Sequence, residues 1–510
     1  MVMGRLRDLL SGLFRSGSVD QPRTETTATS HSPSPASQPD PSPPSGDAVR
    51  PGDTATGFSS STRERKQEKS HVSVPRQPVV VGIDFGTSGT KVAFRSFGDR
   101  RRIPIVIDFG TDLEGYCRFS FPSAVRLSGD RVVVGRAAIH ARSSDDVIVR
   151  SPKVGLLHPT GRKWAGVDGD LDSPALEEVA SALVVADAIR TAKAVIRDTI
   201  GENHGALLFN IDIPVKDADR PEVSRRFHRV LSVALEFAEH LDRESTVLQV
   251  SDAWRDLRAA EGSGGDLIPE AQAVIHGIRK LARLEPDELH AVLDVGAGTV
   301  DMGIFKIVTR KVGANVAFWG ATSEPGGCDD LDARLQDTLG LSDDVLPGLQ
   351  AAKVRLLQTK QPQRVGGCTL DMSHINVAAE WLADRYASPY GRVFGEAYKK
   401  DRRNSRWKTL RTLVVGGGSL VPRLTECLCR PPRDFVDVHP VKLNSGMECR
   451  VAGDSVHGPS DDELPFLIPA IGLSHSRAEL DDVTLPSEVA DDDTRERGPT
   501  GLYDYEVADT

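Results

Sequence analysis

At 510 residues the chain is longer than a single core of ordinary size, so two or more domains are expected. Hydrophobic residues make up 39% and charged residues 27%, a globular balance, and a formal net charge of -10 with no basic stripe argues against nucleic-acid binding. No apolar run approaches the roughly 20 residues of a membrane-spanning helix, and the scattered cysteines (Cys117, Cys328, Cys368, Cys427, Cys429, Cys449) lack zinc-knuckle spacing and read as reduced thiols of a cytoplasmic protein.

Residues 1–16 place Leu6, Leu9, Leu10, Leu13 and Phe14 at helical spacing, flanked by Arg5, Arg7 and Arg15. This predicts an amphipathic helix that either docks on the protein itself or a partner, or lies on a membrane surface as a peripheral contact. Residues 17–77 are rich in Ser and Pro and bury too little apolar surface to offset the entropy of ordering, so a disordered linker is expected. Beyond them, short β-branched runs alternate with long helical patterns such as residues 174–201, the signature of an α/β architecture. Residues 486–510 are polar and acidic, and are expected to be a disordered tail.

The stretch VVVGIDFGTSGTKVAF (79–94) predicts a buried strand ending at Asp84, a turn through Gly86, Thr87, Ser88 and Gly89, and a returning strand at Lys91–Phe94. Glycine permits close backbone approach, so exposed amides in such a turn converge on an anion. The P-loop pattern does not fit, because the lysine follows a threonine and a strand, not a helix, follows the turn.

HAVLDVGAGTVDMGIF (290–305) repeats the plan, with Asp294 at the strand end, Gly296, Ala297, Gly298 and Thr299 in the turn, and Asp301 after it. Carboxylates beside phosphate-binding amides would repel the ligand unless a divalent cation lay between, which points to magnesium. In TLVVGGGSLVPRL (412–424) a strand runs into Gly416, Gly417 and Gly418, where a flat ring could lie on backbone, and Ser419 is expected to cap a helix with Pro422 in its first turn.

The three motifs in this order resemble the actin-like ATPase superfamily. Further stretches resemble its heat shock protein 70 (DnaK) branch: FPSAVRL with VGRAA (121–138), SPKVGL around Lys153, IDIPV (211–215), PEAQAV around Glu270, and GGCDDLDARL from Gly326 and Gly327, which has one extra residue before its last aspartate. The resemblance implies an actin-like α/β fold with lobe I at 78–289 and lobe II at 290–485, each on a duplicated ribonuclease-H-like core, the final helix returning to lobe I, around a nucleotide cleft.

By the same resemblance Asp84, Asp294 and Glu270 hold magnesium or its waters, and Gly86, Thr87, Ser88, Gly296, Ala297, Gly298 and Thr299 meet the phosphates of ATP. Lys153, Asp294, Thr299, Asp301 and Glu270 serve hydrolysis, while Gly326, Gly327, Lys353, Gly416, Gly417 and Gly418 complete nucleotide binding. The alternatives are that Lys153 is a surface lysine and that Glu270 caps a helix. Leu420 stands where the branch carries an arginine that stacks on adenine. About 35 residues follow Ser474, too few for that branch's peptide-gripping domain, and ELDDVTLP (479–486) resembles its interdomain linker.

The expected function is slow ATP hydrolysis, switching a conformation that acts on a protein partner. The alternatives are an actin-like filament or membrane-associated scaffold ATPase, a sugar or metabolite kinase, whose opening motif is similar but whose second motif is generally less rich in aspartate, and a non-hydrolysing nucleotide binder.

Overall fold

Val79–Phe85 is buried along its whole length, as is Leu289–Val295, and unbroken apolar runs of this kind suit sheets covered on both faces. A computed structural model describes residues 77–489 apart from short internal stretches, the longest being 165–173. The chain divides into two units, Met1–Val72 and Ser73–Thr510. The first unit lies outside the described residues, as do the expected helix of residues 1–16, the linker up to residue 76 and the tail beyond Val489.

Each buried run is central to its own sheet. The first sheet is ordered Arg450–Ala452, Ile105–Ile107, Gly89–Ser96, Val79–Phe85, Leu207–Ile213, Gly265–Pro269. The second is ordered Asp482–Thr484, Ala314–Pro325, Thr299–Thr309, Leu289–Val295, Thr409–Val415, Asp437–Pro440. In both, the central strand pairs antiparallel with its successor and parallel with a strand far along the chain. The next neighbours also agree, antiparallel on the hairpin side and parallel on the other. The repeat seen between residues 79–94 and 290–305 is therefore a repeat of topology.

The helix expected over 174–201 runs Leu176–Ile200 and packs with Pro221–His240 against the first sheet. Met372–Lys400 and Cys328–Leu339 contribute to a second core on the other sheet. A third core joins the sheets, because Glu270–Leu281 and the almost wholly apolar helix Leu464–Leu473 are sandwiched where Ala93 and Val106 of the first sheet approach Val292, Phe305 and Val415 of the second. Those two helices meet backbone to backbone: a Cβ at Gly472 would fall 1.8 Å from Ala273 O, and one at Gly277 would fall 2.4 Å from Ile468 O.

After this helix the chain straps both sheets. Glu479 takes Arg95 of the first sheet at 2.5 Å, Asp482–Thr484 adds to the second sheet alongside Asn315–Ala317, and Asn315 Nδ2 donates to Thr484 Oγ1 at 2.6 Å. Pro486–Glu488 forms a further turn, and Lys400 Nζ donates to Val489 O at 2.6 Å. Residues 486–489 are therefore docked, contrary to the expected onset of a disordered tail at 486. Among the described residues no helix is long and apolar enough to cross a membrane, and the five described cysteines are free thiols, with Cys449 outside the described set.

Candidate functional site

The site begins with two glycine turns of the same length. In the first, Val79–Phe85 and Gly89–Ser96 leave Gly86-Thr87-Ser88 as the loop, and a Cβ at Gly86 would lie 2.4 Å from Gly89 O. In the second, Gly296-Ala297-Gly298 joins Leu289–Val295 to Thr299–Thr309, closed by Gly296 N donating to Thr299 O at 2.9 Å. The turns come together tip to tip: a Cβ at Gly298 would sit 3.4 Å from Thr87 Cγ2.

The third glycine motif reaches the same place. Thr409–Val415 lies parallel to Leu289–Val295 and ends at Gly416, whose φ of +76° and contact with Asp294, 2.3 Å from a Cβ to Oδ1, together require glycine. The expected cap did not form: Ser419 Oγ donates to Gly416 O at 2.7 Å within a short turn, and Pro422–Leu428 starts after Val421 with no side-chain cap. The turn satisfies the hydroxyl locally, leaving it nothing to offer the helix.

A cavity of about 570 Å³ opens where the three motifs meet, lined among others by Asp84, Gly86, Thr87, Ser88, Lys153, Glu270, Asp294, Gly296, Ala297, Gly298, Thr299, Gly416 and Gly417. Other expected residues stand back from its wall. Gly326 N donates to Gly298 O at 2.9 Å, and Gly327 packs against the carbonyls of the second turn, so this pair braces the loop. Gly418 lies against Val295, and Lys353 is buried in an ion pair with Asp332. Asp301 faces Asp294 across the hairpin and accepts a long hydrogen bond from Thr299 Oγ1, 3.5 Å.

The charges are paired in register. On the first hairpin Asp84 lies opposite Lys91, and the two form a buried salt bridge at 2.5 Å. On the second, Asp294 lies opposite Asp301, a second carboxylate. Asp294 Oδ2 is buried without a hydrogen-bond partner, and burial, then Glu270 and Asp301, push its pKa well above the ordinary value. An orphaned buried carboxylate oxygen facing more carboxylates is what a site for a divalent cation provides.

Lys153 is no surface lysine, being 4% exposed. It sits on the short helix Pro152–Leu157, entered through Ser151 in the left-handed region at φ 53°, a conformation uncommon for a residue with a side chain. Its ammonium pairs with Asp212 and lies 3.6 Å from Glu270 Oε2. Burial works against the charged lysine, but Asp212, Glu270 and Asp84 outweigh it and hold the pKa above its usual value. Glu270 is the first residue of Glu270–Leu281, whose N-cap is Pro269, so Glu270 is not the cap, and its side chain lines the cavity.

Asp212 was not foreseen. It is fully buried in Leu207–Ile213, takes Lys153 on Oδ2 and accepts from Phe85 N on Oδ1 at 2.7 Å. Among the described residues, Asp84, Asp212 and Glu270 form the group of potential metal ligands whose atoms lie within 4.8 Å of one another. The sequence signal was present as a lone aspartate in the otherwise apolar strand IDIPV.

No protein-family model matches the chain. It is similar to chaperone protein HscA homologs: that of Pseudomonas paraeruginosa (strain PA7) is 23% identical over 427 residues, covering 78% of this chain and 61% of the relative. That of Pseudomonas fluorescens (strain Pf-5) is 25% identical over 371 residues, 69% and 53% respectively. That of Pseudomonas aeruginosa (strain LESB58) is 24% identical over 430 residues, 78% and 61%. The chain thus spans little more than half the length of these relatives. The similarity is distant, and each of these relatives is named as a chaperone protein. The mixed α/β architecture is consistent with it.

Proposed function

We propose that this protein is a magnesium-dependent ATPase of the heat shock protein 70 type, built as two actin-like lobes, in which slow hydrolysis resets a conformation sensed by a protein partner. The observation that carries this reading is the meeting of the two glycine turns, Gly298 against Thr87, at one cavity that the third glycine motif also reaches. Amides of both turns would hold the β and γ phosphates, and Gly416 and Gly417 would lie against the adenosine.

Magnesium, held by Asp84, Glu270 and Asp294 directly or through water, would screen the carboxylates from the phosphates. Lys153 stands at the edge of the cavity with its charge secured, able to stabilise negative charge on the transferring group. Asp301 would act on Thr299, its hydrogen-bond donor, and Gly326 and Gly327 would act by shaping the second turn. Leu420 offers no cation for stacking on adenine, so base recognition would rest on apolar contact and backbone. A partner or membrane contact through residues 1–16 and a cytoplasmic location belong to the same proposal.

The test is calorimetric binding of ATP with magnesium, together with single-turnover phosphate release, for the full chain and for Lys153→Ala and Asp294→Ala. Both variants should retain binding within about tenfold and lose turnover by about 100-fold or more. Unchanged turnover in both would overturn the site. Transfer of phosphate to a sugar in place of water would select the kinase alternative, and ATP-dependent sedimentation would select the filament.

A further inference from the structure

Asp212 has the geometry of neither a cavity wall nor a free ligand. It is fully buried and lies outside the residues lining the cavity, and both of its oxygens are engaged, one by the Lys153 ammonium and one by the Phe85 amide. Its proximity to Asp84 and Glu270 makes it a candidate metal ligand by distance. However, the position a cation would take beside it is already held by Lys153. Phe85 lies between Asp84 and Gly86, so the carboxylate fastens the base of the first glycine turn to the lysine that reaches that turn's ligand space.

We propose that Asp212 is a positioning residue for the hydrolytic step: one buried carboxylate sets the Lys153 ammonium and the Asp84–Gly86 backbone in a fixed relation. The inference rests on the ATPase reading. Lysine has a long flexible stem, and an ammonium that must meet a phosphoryl group within a few tenths of an ångström needs its rotamers restricted by a partner outside the ligand space. Glu270, at 3.6 Å, is itself on the cavity wall and is the looser of the two partners. Asp212 is the only one of the lysine's described carboxylate partners that a ligand would not touch.

Two substitutions separate the two oxygens. In Asp212→Asn the carbonyl oxygen can keep the Phe85 amide while the NH₂ group cannot hold an ammonium; Asp212→Ala loses both. In the full chain, Asp212→Asn should fold with a melting temperature close to wild type, bind ATP with magnesium within about threefold, and release phosphate about 10- to 100-fold more slowly. Asp212→Ala should in addition weaken ATP binding.

The decisive comparison is Asp212→Asn combined with Lys153→Met, whose turnover should be no lower than that of Lys153→Met alone, because Asp212 acts through the lysine. Turnover of Asp212→Asn within twofold of wild type, faster turnover, or losses that multiply in the double variant would overturn the proposal while leaving the ATPase intact. A wild-type chain that neither binds ATP nor releases phosphate would overturn the ATPase reading and this inference with it.

Discussion

The two glycine turns differ in one residue with a mechanical role. Gly298 has no side chain where Thr87 approaches to 3.4 Å of a Cβ position, so Gly298→Val should drive the tips apart. A displacement of about 1 Å in such a site is worth about 100-fold in rate. Gly298→Val is therefore expected to slow phosphate release on that scale while its melting temperature stays near wild type, and an unaltered rate would show that the tips do not meet in the working protein. Ordinary hairpin turns also use glycine and hydroxyl residues, so the turns were legible as a site because the pattern recurs, with its strand-end aspartate, at 290–305. Asp212 and the Lys91–Asp84 pair were not, since their meaning lies in contacts, one of them spanning 127 positions along the chain. Gly326, Gly327, Gly418 and Lys353 lie outside the cavity lining, and a motif's sequence neighbours can shape a wall without forming it.

At the scale of elements, the helices Glu270–Leu281 and Leu464–Leu473 set the spacing between the sheets, and they can do so only through bare backbone. Gly472→Ala and Gly277→Ala should each destabilise the protein by about 3 kcal/mol, read as a lower urea midpoint with unchanged slope, because neither Ala273 O nor Ile468 O can retreat without moving a helix. The hairpins were readable from unbroken apolar runs ending in glycine turns, and the helix at 174–201 from its long helical pattern. The three-residue strands Arg450–Ala452 and Asp482–Thr484 were not, because so short a run has no period and joins its sheet edge only after the chain has come back to it.

For the whole molecule, stability should depend on acid in a predictable way. His290 is buried against Phe305, and burial, then Arg411, lower its pKa from 6.5 to about 4. The unfolded chain therefore binds a proton that the folded one refuses, so this residue's contribution to stability is complete above pH 6.5 and is lost as pH drops toward 4, by about 3 kcal/mol. Denaturant melts of His290→Leu between pH 7 and pH 4 should show a shallower loss; an identical slope would remove His290 from the account. The strap tying both sheets should matter at any pH. Glu479→Ala takes the carboxylate from Arg95 and is expected to cost about 2 kcal/mol in a thermal melt.

The matching hairpins are not electrically alike. At equivalent rungs one carries an aspartate facing a lysine and the other an aspartate facing an aspartate. A repeated topology thus carries unlike charges at matching places, and a guest with unequal ends would be oriented by that difference.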